Sequence, residues 1–134
     1  MPKLPYYTGV NLAGADFAPD QLPGTYRTHY IYPTHAEIDY FTGKGMNVFR
    51  LPFLWERLQH TQFGDFDAVE LARIDDFVNY ATGKGASVVL DPHNYARYYG
   101  TESSAQAACR PPRSPISGGS WRCATKTTAA LFSA

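Results

Sequence analysis

The chain has 134 residues, enough for one ordinary domain with a real core. Its 12 basic and 12 acidic residues cancel, so no global field recruits nucleic acid or an anionic membrane, and neither is expected as a partner. No apolar run approaches the ~20 residues of a membrane span. The 10 Tyr, 8 Phe and 2 Trp suit a core, and they equally suit flat, weakly polar ligands such as sugars.

In chain order, Met1-Pro2-Lys3-Leu4-Pro5 has no apolar segment after its charge, so no signal peptide is expected in this chain. Tyr6 to Leu12 reads as a first strand, followed by Ala13-Gly14-Ala15 and a Pro- and Tyr-rich loop to Pro33. Thr34-His35-Ala36-Glu37 is a capping box opening a helix whose buried stripe is Ile38 and Phe41, with Gly43 and Gly45 as its stop. Asn47 to Leu51 is a second strand, and Phe53 to Gln59 leaves its end as a loop or short helix. Asp67-Ala68-Val69-Glu70 predicts a second capping box, and Leu71, Ile74, Phe77, Val78 and Ala81 fall at helical spacing behind it. Gly83 and Gly85 stop that helix before a third strand, Ser87 to Leu90.

Thr-Gly-Lys-Gly thus occurs twice, at Thr42 and at Thr82, each time between a helix and a short apolar strand. The alternation predicts parallel βαβ units, with chemistry just past the strand ends. At about 40 residues per unit, eight units need roughly 320 residues, within the range of (β/α)8 barrels. A doubly wound sheet would close with fewer, but neither G-x-G-x-x-G nor a P-loop is present.

At those strand ends Arg50 stands out, because a guanidinium within Val48-Phe49-Arg50-Leu51 needs a carboxylate, several carbonyls or a route to solvent. It would serve as a fork donor orienting a carboxylate. His93 follows Asp91-Pro92, with Asn94 and Tyr95 beside it. No second His has ligand spacing, so neither a metal nor another cofactor is expected. Trp55, Tyr98 and Tyr99 are candidate sugar platforms, or covers for the barrel rim.

Three stretches carry a resemblance: Gly9-Val10-Asn11-Leu12-Ala13-Gly14-Ala15, Asn47 through Gln59, and Leu90-Asp91-Pro92-His93-Asn94-Tyr95-Ala96-Arg97-Tyr98-Tyr99. Together they resemble glycoside hydrolase family 5, most of all its endo-β-1,4-glucanases (cellulases). The resemblance implies an α/β fold, the N-terminal part of a (β/α)8 TIM barrel of about three β/α units over residues 1–100. It also implies retaining hydrolysis of β-1,4-glucan, a β-glucan polysaccharide or oligosaccharide as partner, and an extracellular setting. By the same resemblance Arg50 supports the nucleophile and His93 lies in the sugar site nearest the cleaved bond. His93, Asn94, Tyr95, Trp55 and Tyr98 are then the expected substrate-binding set. The family's acid/base glutamate follows an Asn at the end of strand four and its nucleophile ends strand seven, a pair held about 5 Å apart. Neither has a counterpart here, so the chain as it stands is expected to be inactive. Of the nearby acids Asp91, Glu56 and Glu102, none matches a catalytic position, and Glu56 is expected to pair with a neighbouring arginine. Two alternatives stay open: a non-catalytic glucan-binding remnant, and a small α/β protein with an unrelated ligand.

From Thr101 to Ala134 there is no Tyr, Val, Asp, Asn or His, and the chain reads as irregular Ser/Ala/Pro/Gly-rich tail that also holds Cys109 and Cys123. A native linker is one explanation of this, and a shifted reading frame is a sharper one. If each original codon takes the last base of the present codon and the first two of the next, every T-initial codon places T in mid-codon, which encodes an apolar residue. With the serines taken as TCN codons and Leu131 as TTA or TTG, Ser114, Ser117, Ser120, Trp121 and Cys123 fall at helix spacing, and Leu131, Phe132 and Ser133 form a strand-like run. A third of a barrel leaves sheet edges and inner layers unfilled, so marginal stability is expected.

Overall fold

The computed structural model describes residues 6–61, 64–94, 97–99, 102–103 and 130–132. Strands β1 (Gly9–Asn11), β2 (Val48–Phe53) and β3 (Ser87–Pro92) form a parallel sheet in chain order, joined by α1 (His35–Gly43) and by α2 (Trp55–Leu58) with α3 (Ala68–Gly83). A two-residue ribbon of β4 (Arg97–Tyr98) and β5 (Glu102–Ser103) follows, and β6 (Ala130–Phe132) lies antiparallel on the far side of β3. The first strand is shorter than the sequence suggests, while β2 and β3 each run two residues further, to Phe53 and Pro92. The fourth strand position departs from the parallel expectation. The tail between 104 and 129, with both cysteines and the helix-spaced positions, lies outside the described residues.

One face of the sheet packs on the helices. Phe49, Leu51, Val88 and Leu90 meet Ile38 of α1 and Ile74, Phe77 and Ala81 of α3, all essentially buried. Each of these Phe, Leu, Ile and Val side chains contributes about 1.5–3 kcal/mol through removal from water. Leu71, Val78 and Phe41 flank this core half-buried. Gly9 must lack a side chain, because a Cβ there would sit 1.7 Å from the Val48 carbonyl oxygen.

The two Thr-Gly-Lys-Gly junctions are copies in hydrogen bonds as well as in letters. Gly45 N–H donates to Thr42 O at 2.9 Å and Met46 N–H to Phe41 O at 3.1 Å, while Gly85 N–H donates to Thr82 O at 2.9 Å and Ala86 N–H to Ala81 O at 3.1 Å. This is the hydrogen-bond pair of a Schellman stop, with Gly45 (φ 86°) and Gly85 (φ 81°) in the left-handed region. The strands then start alike: Asn47 N–H donates to Thr8 O and Ser87 N–H to Asn47 O, both at 2.8 Å.

The helix starts differ. At α1 both halves of the box form, with Thr34 accepting from the Glu37 amide and Glu37 accepting from Thr34 N–H at 2.7 Å. At α3 Asp67 caps the Val69 and Glu70 amides, but Glu70 does not reach back, contrary to the sequence pattern. The Asp67 N–H is already bound to Leu58 O at 2.7 Å, so Glu70 turns inward. There it accepts from Tyr30 Oη at 2.5 Å and Tyr32 Oη at 3.0 Å and pairs with Arg73, whose guanidinium lies 3.8 Å from the Tyr26 ring centre. Beside it the buried Arg57 donates to the carbonyls of Ala15 (2.7 Å), Phe17 (2.5 Å), Ala18 (3.2 Å) and Pro23 (3.0 Å). Two ionic residues of the second β/α unit thus fasten the long loop after β1.

Candidate active site

Register sets which strand residues can meet. Asn11 pairs laterally with Arg50, Arg50 with Val89, and Pro52 with Asp91. Side chains alternate along a strand, so Asn11, Arg50 and Asp91 share the face turned away from the helices. Arg50 uses that face fully. Nη1 donates to Asn11 Oδ1 at 2.6 Å and Nη2 forms an ion pair with Asp91 Oδ2. The same Nη2 lies 3.2 Å from His93 Nδ1, which is 3.1 Å from Asp91 Oδ2. Arg50 is therefore not an orphaned charge: a carboxylate, an amide oxygen and an imidazole meet it, while its side chain stays 39% exposed.

His93 follows β3, with its N–H bound to Phe53 O at 2.8 Å, so the end of β2 fixes where the ring begins. Its side chain is about a third exposed, at 35%. An imidazole whose Nδ1 faces both a guanidinium and a carboxylate is held edge-on, able to accept from one or to donate to the other. The Arg50–Asp91 ion pair thus holds an oriented ring at the C-terminal end of a parallel sheet.

The neighbouring groups are tied to one another. Asn94 is absorbed by structure: Oδ1 accepts from Trp55 N–H at 2.8 Å and Nδ2 donates to Glu56 Oε2. It thereby caps α2, whose own leading residue, Leu54, has no side-chain cap. Glu56 is buried at 2% exposure and takes Asn94 and the Tyr99 N–H (2.8 Å) where an arginine was expected, because Arg57 is turned into the loop after β1. Trp55 stays half-buried, with its indole N–H donated to Gln59 Oε1 at 2.7 Å and Gln59 in turn bound to Gly64 O at 2.7 Å. Tyr98 lies in β4, and Tyr99 reaches His60 O with its hydroxyl at 3.2 Å. Tyr95 lies outside the described residues. Sequence reading missed Asn11, Gln59 and the clasp around Glu56. Only the one-residue offset between paired strands could have placed Asp91 beside Arg50. Among the described residues no His, Cys, Asp or Glu group could hold a metal ion, and no helix is long and apolar enough to cross a membrane.

Parallel strands separated by helices, with polar groups gathered past the strand ends, define the N-terminal part of a barrel of the (β/α)8 enzyme class. The chain belongs to glycosyl hydrolase family 5, whose Cellulase pattern matches residues 10–111. It is 42% identical over 93 residues to endo-beta-1,4-glucanase B of Aspergillus niger, covering 69% of this chain and 28% of that one. Among solved structures it is similar to an endo-beta-1,4-glucanase of Xanthomonas axonopodis pv. citri (47% identity, TM-score 0.69, 72% of this chain and 30% of that chain). It is also similar to XacCel5A, solved in complex with cellopentaose (42% identity, TM-score 0.73, 76% and 34%). The chain therefore spans roughly a third or less of the length of the relatives it matches.

Proposed function

We propose that this chain carries the Arg50–His93 corner of a retaining endo-β-1,4-glucanase site, with a β-glucan as its ligand and an extracellular setting. The observation that supports it is the Asn11–Arg50–Asp91–His93 cluster at the strand ends, a preorganised ion pair beside a partly exposed imidazole. On this reading Arg50 and His93 are supporting groups. His93, Trp55, Tyr95 and Tyr98 are the proposed sugar contacts, and Asn94 acts through Trp55. A neutral sugar needs flat apolar surface plus a few aimed donors and acceptors, which a tryptophan and a histidine supply. The paired carboxylates of glycoside hydrolysis are not among these residues. The 134-residue chain alone is expected to bind cellopentaose without releasing reducing ends from carboxymethylcellulose. Losing one aimed hydrogen bond in His93→Ala should weaken binding about tenfold. Turnover that disappears in His93→Ala, or no cellopentaose binding at millimolar concentration, overturns the reading.

We further propose that residues 1–100 form the barrel part and that residues 101–134 are read in a shifted frame. The family match runs to residue 111, so the boundary at Gly100 rests on composition. Shifting the gene by one base after codon 100 should restore a helix, an Asn-Gly stop and a strand. A gene sequence that yields no barrel-like continuation in that frame excludes the shift.

A further inference from the structure

We infer that Glu56 is a positioning residue that ties Trp55, Asn94 and Tyr99 together into one wall of the site. That the wall faces glucan rests on the proposed function, but the lock itself does not. Glu56 is 2% exposed, and among described groups its two oxygens are met by two donors: Asn94 Nδ2 on Oε2 and Tyr99 N–H on Oε1, the latter at 2.8 Å. Asn94 completes the loop by accepting Trp55 N–H at 2.8 Å, so one carboxylate ties α2 to the chain that leaves β3. Tyr99 sits at φ 47°, a conformation that a β-carbon disfavours and that such tethering sustains.

The polarity of this arrangement makes a prediction that packing does not. Two donors require two acceptor oxygens, so an isosteric amide at position 56 fits in shape yet sets one N–H against another. Glu56→Gln should break one bond, and Asn94→Asp alone should set two carboxylates face to face. The double variant Glu56→Gln/Asn94→Asp restores complementarity. Its new amide nitrogen at position 56 donates to one oxygen of the new carboxylate at position 94. The amide oxygen at position 56 accepts from Tyr99 N–H, and the second carboxylate oxygen at position 94 keeps Trp55 N–H.

The test is amide hydrogen exchange at Trp55 and Tyr99 in the 15N-labelled full chain, without sugar. Each single variant is expected to exchange about tenfold faster at one or both amides, and the double variant should return to the parental rate. Parental protection in Glu56→Gln, or a double variant as fast as the singles, overturns the inference. A cellopentaose titration adds the functional arm, in which affinity should fall in Glu56→Gln and recover in the double variant. Sugar affinity that ignores a confirmed exchange pattern removes the wall's role at the site. If the parental chain binds no cellopentaose, the glucan reading fails while the exchange pattern still decides the lock.

Discussion

Replacing Arg57 by methionine is expected to cost about 3–5 kcal/mol of folding stability, because several buried carbonyl acceptors lose their donor together. Natural domains hold only about 5–15 kcal/mol in total, so the substitution should leave a large unfolded population. Arg57 is 1% exposed, and burial pushes its guanidinium below the usual arginine range, a cost that four carbonyl acceptors and the Tyr30 ring face at 4.0 Å offset. Methionine fills the volume but leaves those carbonyls without donors, and the loop from Ala15 to Pro23 loses its anchor. Arg57→Lys should recover only part, since one ammonium cannot span the fan of a guanidinium. Urea unfolding followed by circular dichroism measures this, and a loss under about 1 kcal/mol for Arg57→Met would show that the network adds little.

Glu70→Ala should cost about 2–4 kcal/mol by the same route, less than Arg57 because Arg73 keeps 27% exposure and can turn to water. Two buried tyrosine hydroxyls then face no acceptor. The same cluster predicts an alkaline limit. Burial first, then the Glu70 carboxylate, raises the Tyr30 and Tyr32 hydroxyls well above the ordinary 10.0. In the unfolded chain both ionise near that ordinary value while the folded chain resists, so their contribution is intact below it and is lost as pH rises above it. Urea midpoints should therefore fall steeply from about pH 10 upward, and more gently in Tyr32→Phe. A midpoint flat to the highest pH tested would contradict the burial of these hydroxyls.

How much of this was legible beforehand follows the range of the interactions. Local signals read well: Thr34 and Asp67 are caps, Ile38, Ile74 and Phe77 are core, and Gly45 and Gly85 end their helices as written. Interactions across the chain read poorly, each for its own reason. Glu70 looks like the arm of a capping box, and nothing local reveals that Leu58 already occupies the amide it would reach. Arg57 binds backbone carbonyls, which every sequence supplies equally, so no partner could be named. Aligning the two Thr-Gly-Lys-Gly phrases sets Arg50 level with Leu90, which faces the helices. The actual pairing of Arg50 with Val89 puts Asp91 on the arginine's side. Arg50 and His93 themselves were visible as polar groups at apolar strand ends, whereas the bond from Trp55 N–H to Asn94 joins residues 39 apart and was not.

That offset has a geometric meaning. Val48 and Val88 occupy equivalent places after their repeats, yet the lateral neighbour of Val48 is Ser87, one residue short. A slip of one residue per strand, carried around eight strands, sums to the shear of 8 that closes a (β/α)8 ring with its strands tilted by about 36°. Two adjoining strands thus already hold the pitch of the whole circle. The slip also inverts the facing of equivalent residues from one strand to the next, so alternate strands must take turns at the axis. A polar group repeated faithfully in every unit would reach the centre from only half of them.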